Sequence, residues 1–396
     1  MNSSTSSSRK IYGKILLGVG LTMAGAWSVL MMVADIVGAN AEGVMGRVVQ
    51  ARRALPQIVS EDKKQVMVFG SSMVDAGFSP RLFDAQVKAQ GKDIKSYNFG
   101  FGGLNPYFQD YLSRRIREAY QGEDKRLKLA IIEFNPFQTT QTRWNRANSM
   151  VDSFLTMLAS NAELLAVTKG DLNRAMLLFN IKYVRNDISS QMVTTFMGRG
   201  IFPAERVKRE RDDEAMVKRR RELGKQANEL YAADFPDLVR RQWSLPLQGG
   251  RTIPQDRSAK SLEVYAEYIK TQQTAAQMTN FRNRRIRTAD VLGLNFEPLL
   301  VESFIRIVEN FKQFSDKVEV VMLPRNTDWI NYSPEAQARL NSAIAQIEKG
   351  TGLSIRNHQN LEQINPQMFR DATHLARYQG DIVYTQFLVE QYIGDL

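Results

Sequence analysis

The chain opens on a polar, serine-rich stretch containing Arg9, Lys10 and Lys14, then turns apolar from Ile15 to Ala34 with only Gly, Thr and Ser interrupting. A run that is hydrophobic on every face has no side to turn toward water, and its length matches the ~20 residues that carry a helix across a bilayer. The pattern predicts a transmembrane helix over residues 15–38, preceded by a short N-terminal segment, 1–14. Ala39-Asn40-Ala41 resembles a signal-peptidase site. The apolar run, however, exceeds the roughly 7–15 residues of a cleaved signal core, and Asp35 intervenes, so an uncleaved signal anchor is expected. Basic residues do not orient it, because Arg47, Arg52 and Arg53 on one side match Arg9, Lys10 and Lys14 on the other.

Beyond the anchor, residues 39–62 read as a stalk, with apolar positions at helical spacing from Gly43 to Ser60. The rhythm then changes to short apolar runs. Gln65–Phe69, Ser96–Phe99, Leu127–Phe134, Val318–Leu323 and Leu353–Arg356 read as strands, separated by helix-like stretches such as those after Pro80 and from Pro334 to Lys349. Five short strands alternating with helices predict an α/β fold, a parallel sheet with helices on both faces. In such sheets ligands sit at the carboxyl ends of the strands. The first half of this domain is placed at 63–139 and the second at 301–396. Between them, residues 140–300 read as a mainly helical insertion, with helices over Met150–Ala166, Leu172–Ile188, Ala204–Asn228 and Ser258–Thr279.

With 53 Lys plus Arg against 42 Asp plus Glu the net charge is +11, which favours anionic surfaces or polymers. The excess concentrates in the insertion: residues 199–225 hold ten basic and six acidic side chains, including Arg219, Arg220 and Arg221, and Arg282, Arg284, Arg285 and Arg287 form a second group. These fit either a solvated helix with internal ion pairs or a surface for an anionic polymer or phospholipid head group. No nucleic-acid module accompanies them, so no nucleic-acid partner is expected. The absence of cysteine removes disulfides, thiolate metal sites and a cysteine nucleophile. No phosphate-binding glycine loop is visible, and the two histidines, His358 and His374, lack ligand spacing, so neither cofactor nor metal is expected.

Candidate chemistry lies where strands end. Gly70-Ser71-Ser72 follows the first strand directly, which puts a hydroxyl at the sheet's carboxyl edge; the same pattern also serves as a helix cap or turn. Asp371-Ala372-Thr373-His374 places a carboxylate three residues before a histidine, close enough to fix the ring's tautomer. Taken alone, that spacing is also common without function. His358 is expected to be structural.

Taken together and in this order, the pieces resemble the SGNH (GDSL-type) hydrolase superfamily. Gly70-Ser71-Ser72 corresponds to its first block, with Ser71 where typical members carry Asp. Asn98-Phe99-Gly100-Phe101-Gly102-Gly103 holds the second-block glycine, assigned to Gly103, and Glu133-Phe134-Asn135-Pro136 stands for the third block without its Gly and second Asp. Asp371 and His374, with Leu375 next and Gly380 six residues on, match the last block. The resemblance covers Gln65–Pro136 and Val318–Leu396 and implies a flavodoxin-like three-layer fold. Gly-Ser-Ser, Ile-Glu-Phe-Asn-Pro and Leu323–Trp329 are similar to the membrane-anchored proteins of teichoic acid D-alanyl transfer, and the general plan is similar to exopolysaccharide O-acetyltransferases.

The resemblance implies a Ser72 nucleophile, a His374 base oriented by Asp371, and an oxyanion hole from the N–H groups of Ser72 and Gly103 with the Asn135 side chain. It also implies an N-in, C-out topology, an extracytoplasmic catalytic domain, a polysaccharide acceptor and a membrane-bound O-acyltransferase as partner. Trp144, Tyr183 and Trp243 in the insertion are candidates to stack on sugar, and each also fits a core role. Three readings stay open: acyl transfer to a glycan, hydrolysis by an anchored esterase or deacetylase, and a non-catalytic assembly component that keeps the fold.

Overall fold

The structure, a computed structural model, describes residues 5–39, 43–147, 150–185, 210–234, 247, 254–288 and 293–396. The Ala39-Asn40-Ala41 site, Trp243, the first part of the 199–225 charged stretch and the side chains of Arg284, Arg285 and Arg287 lie outside the described set. Helix α1 (Thr5–Ala39) contains the apolar run, and α2 (Gly43–Ser60) follows it. Among the described residues no helix is long and apolar enough to cross a membrane; the side chains of residues 30, 31, 33 and 34 of the apolar run lie outside that set.

Five strands build one sheet: β1 (Lys64–Ser71), β2 (Ile94–Phe101), β3 (Leu129–Glu133), β4 (Val318–Met322) and β5 (Ile355–Asn357). They pair in the order β2-β1-β3-β4-β5, and every pairing is parallel. That order is the doubly wound one of flavodoxin-like sheets. The alternation of side chains along each strand sorts the core into two layers. Met67 and Phe69 of β1, Ala130 and Ile132 of β3, and Val320 and Met322 of β4 face one hydrophobic cluster. Val66, Val68, Leu129, Ile131 and Val321 face the other.

Helices α3 (Ser72–Gly77) and α4 (Pro80–Ala89) cover the second face, and α5 (Pro106–Gly122) the first. Helix α2 is more than a connection, since Val48, Ala51, Ala54, Leu55, Ile58 and Val59 are buried in the first-face core.

After β3 the chain leaves the sheet through α6 (Gln141–Ala147), α7 (Val151–Leu158), α8 (Asn161–Thr168), α9 (Leu172–Asn180), α10 (Glu214–Asp234), α11 (Ala259–Gln272) and α12 (Ala275–Thr288). The single helix expected over Met150–Ala166 is two, because Ser160 caps α8 in a reciprocal capping box with Glu163. The mouth of the insertion is clasped: Gln141 N–H donates to Asn295 O at 2.8 Å and Glu297 N–H to Thr139 O at 3.0 Å. The fold then resumes with α13 (Pro298–Lys312), β4, α14 (Pro334–Thr351), β5 and α15 (Gly380–Tyr392). The first and second of these helices join the first-face core, whereas Tyr384, Leu388, Val389 and Tyr392 of α15 join the second.

Candidate active site

Strand β1 ends at Ser71, and the next residue begins α3. Both readings of the serine pair are realised at once. Ser71 Oγ accepts from Met73 N–H at 3.2 Å and caps the helix, while Ser72, its first residue, has an N–H with no acceptor inside the helix. The turn is close-packed. A Cβ at Gly100 would lie 2.2 Å from Asp75 N, and one at Gly70 would lie 2.4 Å from Glu133 Oε2. Glycine at both positions lets α3 and the Glu133 carboxyl approach the ends of β2 and β1.

The histidine arrives from a tight loop after β5. Phe369 and Leu375 form an antiparallel bridge, and Arg370 N–H donates to His374 O at 2.9 Å. Inside this loop Asp371 Oδ1 accepts from the N–H groups of Thr373 at 2.8 Å and His374 at 2.9 Å. His374 Nδ1 lies 2.9 and 2.8 Å from the two oxygens of Asp371, and its Nε2 lies 2.7 Å from Ser72 Oγ, a contact between residues 302 apart in sequence. A carboxylate can only accept, so it holds the proton on Nδ1 and leaves Nε2 to receive the Ser72 hydroxyl. Burial by itself would raise the Asp371 carboxyl. The His374 charge and hydrogen bond, with Arg370 and the Thr373 N–H, more than offset this and hold it below the usual range. The group therefore stays ionised to orient His374.

The two glycines after β2 differ in their surroundings. Gly102 lies against Ser72, with its Cβ position 3.6 Å from Ser72 Cβ; Gly103 follows with φ of 81°, exposed, in the left-handed region that glycine tolerates. Asn135 is buried beneath the turn. Its amide donates to Ser71 Oγ at 2.8 Å and to Met73 Sδ at 3.4 Å, and its Oδ1 accepts from Phe137 N–H. The side chain thus supports the serine turn rather than contacting Ser72.

The group the sequence did not single out here is Glu133. Its Oε2 accepts from Ser71 N–H at 2.6 Å, and its Oε1 accepts from Ser71 Oγ at 3.0 Å. This carboxyl at the end of β3 supports the turn in which Ser71 replaces an Asp. Burial pushes it up to about 7 against the lowering effect of the Ser71 and Asn135 hydrogen bonds.

Helix α2 also reaches the site. Arg47 donates from Nε to Gly100 O and from Nη2 to Asn98 O at 2.9 Å, and pairs with Asp75 at 3.2 Å. The insertion grips the histidine loop from the other side. Arg257 donates to Tyr378 OH at 3.1 Å, and Tyr265 meets the Tyr378 ring edge-on; Tyr378 holds a φ of 64°, a strained value for a non-glycine residue.

Trp144 packs edge-on against Tyr107, and Tyr183 stacks on Phe179 and donates to Asn161 at 2.7 Å. His358 stands apart from the triad: its Nδ1 lies 3.0 Å from Tyr384 OH, and burial pushes it down to about 4. Among the described residues no group of three or more His, Asp or Glu side chains gathers at metal-binding spacing. No protein-family model and no curated protein sequence matches this chain.

Proposed function

We propose that this chain is a membrane-anchored extracytoplasmic serine acyltransferase that modifies a polysaccharide through an acyl-enzyme on Ser72. The observation that carries the reading is the line Ser72 Oγ, His374, Asp371, with hydrogen-bond distances of 2.7 Å and 2.8–2.9 Å. In the first half-reaction His374 Nε2 takes the Ser72 proton as Oγ bonds to an acyl carbonyl carbon. The imidazolium, stabilised by Asp371, then protonates the departing group. In this reading the N–H groups of Ser72 and Gly103 stabilise the oxyanion. In the second half a sugar hydroxyl gives its proton to His374 as it attacks the ester carbon, and the imidazolium returns that proton to Ser72 Oγ as the ester bond breaks. Water in place of that hydroxyl makes the same site an esterase.

The placement at a membrane is supported by α1. Ile15, Leu16, Leu17, Val19, Leu21, Met23 and Val29 all project outward. The run's hydroxyls return to the helix itself, Thr22 Oγ1 to Gly18 O and Ser28 Oγ to Ala24 O, both at 2.9 Å. A helix that satisfies its own polar groups and turns apolar side chains outward suits a bilayer. In this reading the topology is N-in, C-out, the acceptor is a cell-surface or secreted glycan, and a membrane-bound O-acyltransferase supplies the acyl group.

Incubation of the detergent-solubilised chain with an aryl acetate, followed by intact mass and peptide mapping, tests the reading. An acetyl ester on Ser72 that transfers to added glycan supports it. Free acetate formed at the same rate with and without glycan makes the protein a hydrolase, and no ester in wild-type protein removes both activities.

A further inference from the structure

His374 is carried by a loop whose own bonds settle its shape but not its place. Ala376 N–H donates to Met368 O at 2.7 Å, closing the same turn as the Phe369–Leu375 bridge and the Arg370–His374 hydrogen bond. A Cβ at Gly380 would lie 2.5 Å from Met368 O, so the two ends of the loop are packed on each other. The loop can therefore shift as a unit, with Asp371 and His374 still paired. Burial of Phe369 and Leu375 in the second-face core holds its base, but apolar contact has no direction. Toward α3, which carries Ser72, the ion pair of Arg377 with Asp75 is 3.7 Å long, beyond hydrogen-bond reach.

The directional ties come from the insertion, and they meet the loop at both ends. Gln273 stands in the short turn between α11 and α12. Its amide donates one hydrogen to Gln367 O at 2.8 Å and the other to Phe369 O at 2.7 Å, two residues before Asp371. Arg257 holds the exit through Tyr378 OH, with its guanidinium carbon 5.7 Å from the Tyr378 ring centre and 5.3 Å from that of Tyr231. Arg257 is fixed in turn by Ser261 Oγ at 2.8 Å and by an ion pair with Asp234 at 2.8 Å. Helix α10 braces both grips: Asp234 is its last residue, and Arg220, earlier on the same helix, donates to Thr271 O at 3.0 Å, two residues before Gln273.

We propose that Gln273 and Arg257 are positioning residues: by gripping the histidine loop at entry and exit, the α10–α12 part of the insertion sets the distance between His374 Nε2 and Ser72 Oγ. Control of turnover by this grip rests on the acyl-transfer reading, whereas the placement of His374 does not. A misplacement of about 1 Å can cost about 10²-fold in rate, so hydrogen bonds remote from the acyl group are enough to decide turnover. Because Gln273 meets backbone carbonyls, its tie places the chain itself and carries Asp371 and His374 together.

Nitrogen NMR of the full chain in detergent, labelled at histidine, tests this. With two histidines in the sequence, His358 serves as the internal reference and Ser72→Ala marks where the His374 Nε2 signal falls once the serine contact is gone. Gln273→Ala should move the His374 signal toward that position and leave His358 where it stands. With an aryl acetate, kcat for ester formation on Ser72 should fall about tenfold or more at nearly unchanged KM and melting temperature. A merely stabilising role would lower the melting temperature and leave the signal of the folded chain in place. An unmoved His374 signal in folded Gln273→Ala overturns the proposal. Where that variant does not fold, Tyr378→Phe carries the test by removing one hydroxyl at the exit: a shift in the same sense supports the grip, and an unmoved signal overturns it. A moved signal in a chain whose wild type forms no ester removes the transferase reading and leaves the grip, whereas the ester with an unmoved signal removes the grip alone.

Discussion

Where its strands begin, the sheet carries mostly exposed, mutually paired charges; where they finish, the charges are buried around Ser72 and His374. Lys63 and Asp93 precede β1 and β2 and pair at 2.7 Å with side chains 50% and 67% exposed. Lys317, Glu319, Arg356 and Asp395 form a second network at the start of β4 and along β5, in which Glu319 is buried. A cleft of about 530 Å³ lies at this end, lined by Lys63, Lys64, Lys92 and Leu396. At the other end Asp371, Glu133 and Arg377 are covered. Size of cleft and density of charge therefore do not single out the Ser72 end of the sheet. What distinguishes the carboxyl end is that the buried carboxyls of Asp371 and Glu133 meet His374 and Ser71, whose orientation their hydrogen bonds fix.

The sharpest break in the comparison comes from removing the reacting groups. Ser72→Ala and His374→Ala should each lower Ser72-dependent ester turnover by about 10⁴ or more, while Lys63→Ala leaves it unchanged in the same assay. Asp371→Asn should cost about 10³–10⁴, because an amide N–H facing Nδ1 forces the proton onto Nε2 and blocks acceptance from Ser72. Structure should survive, so a normal melting transition with lost turnover is the expected pair of results. The lowered Asp371 carboxyl also stabilises the fold above its ordinary pKa near 4 and loses that contribution on acidification through its folded value.

Glu133 has the opposite sign. Raised by burial to about 7, it contributes stability that is complete below its ordinary 4.5 and is lost as pH rises through about 7, an effect of about 3 kcal/mol. Urea unfolding at pH 5 and pH 8 should show a smaller loss in Glu133→Gln than in wild type. The residual loss belongs to Asp84 and Asp381, both also raised to about 7 by burial. An unchanged pH dependence in the variant would contradict the assignment. The smallest effect is expected from Asp93→Asn: its exposed pair with Lys63 should leave melting temperature unchanged within error, most clearly at high salt.

How much of this was legible in the sequence follows from how local each signal is. The strands announce themselves as apolar runs, and the layers follow because adjacent residues such as Met67 and Val68 face opposite clusters. Ser72, Asp371 and His374 sit in short patterns beside strand ends or a glycine. The insertion's limits were visible as a loss of strand rhythm, and the clasp between Thr139 and Glu297 lies close to that boundary.

Strand order was not legible, since parallel neighbours need not be sequence neighbours. Glu133 looked like one more residue of a buried strand, because its partner Ser71 is 62 positions away. Arg47 was counted only for membrane orientation; its contacts with Asn98 and Gly100 span more than fifty residues. In a cluster of three glycines, spacing alone did not separate Gly102, against Ser72, from Gly103. Asn135 was assigned to the oxyanion through the resemblance, but the serine turn takes its amide.

The central claim is that His374 activates Ser72. Treating the folded chain with a fluorophosphonate probe and mapping the labelled peptide tests it most directly, with Ser72→Ala and His374→Ala as controls. The account predicts a single adduct on Ser72 that both substitutions abolish. Labelling that is absent from folded wild-type protein, or that persists at Ser72 without His374, would contradict it.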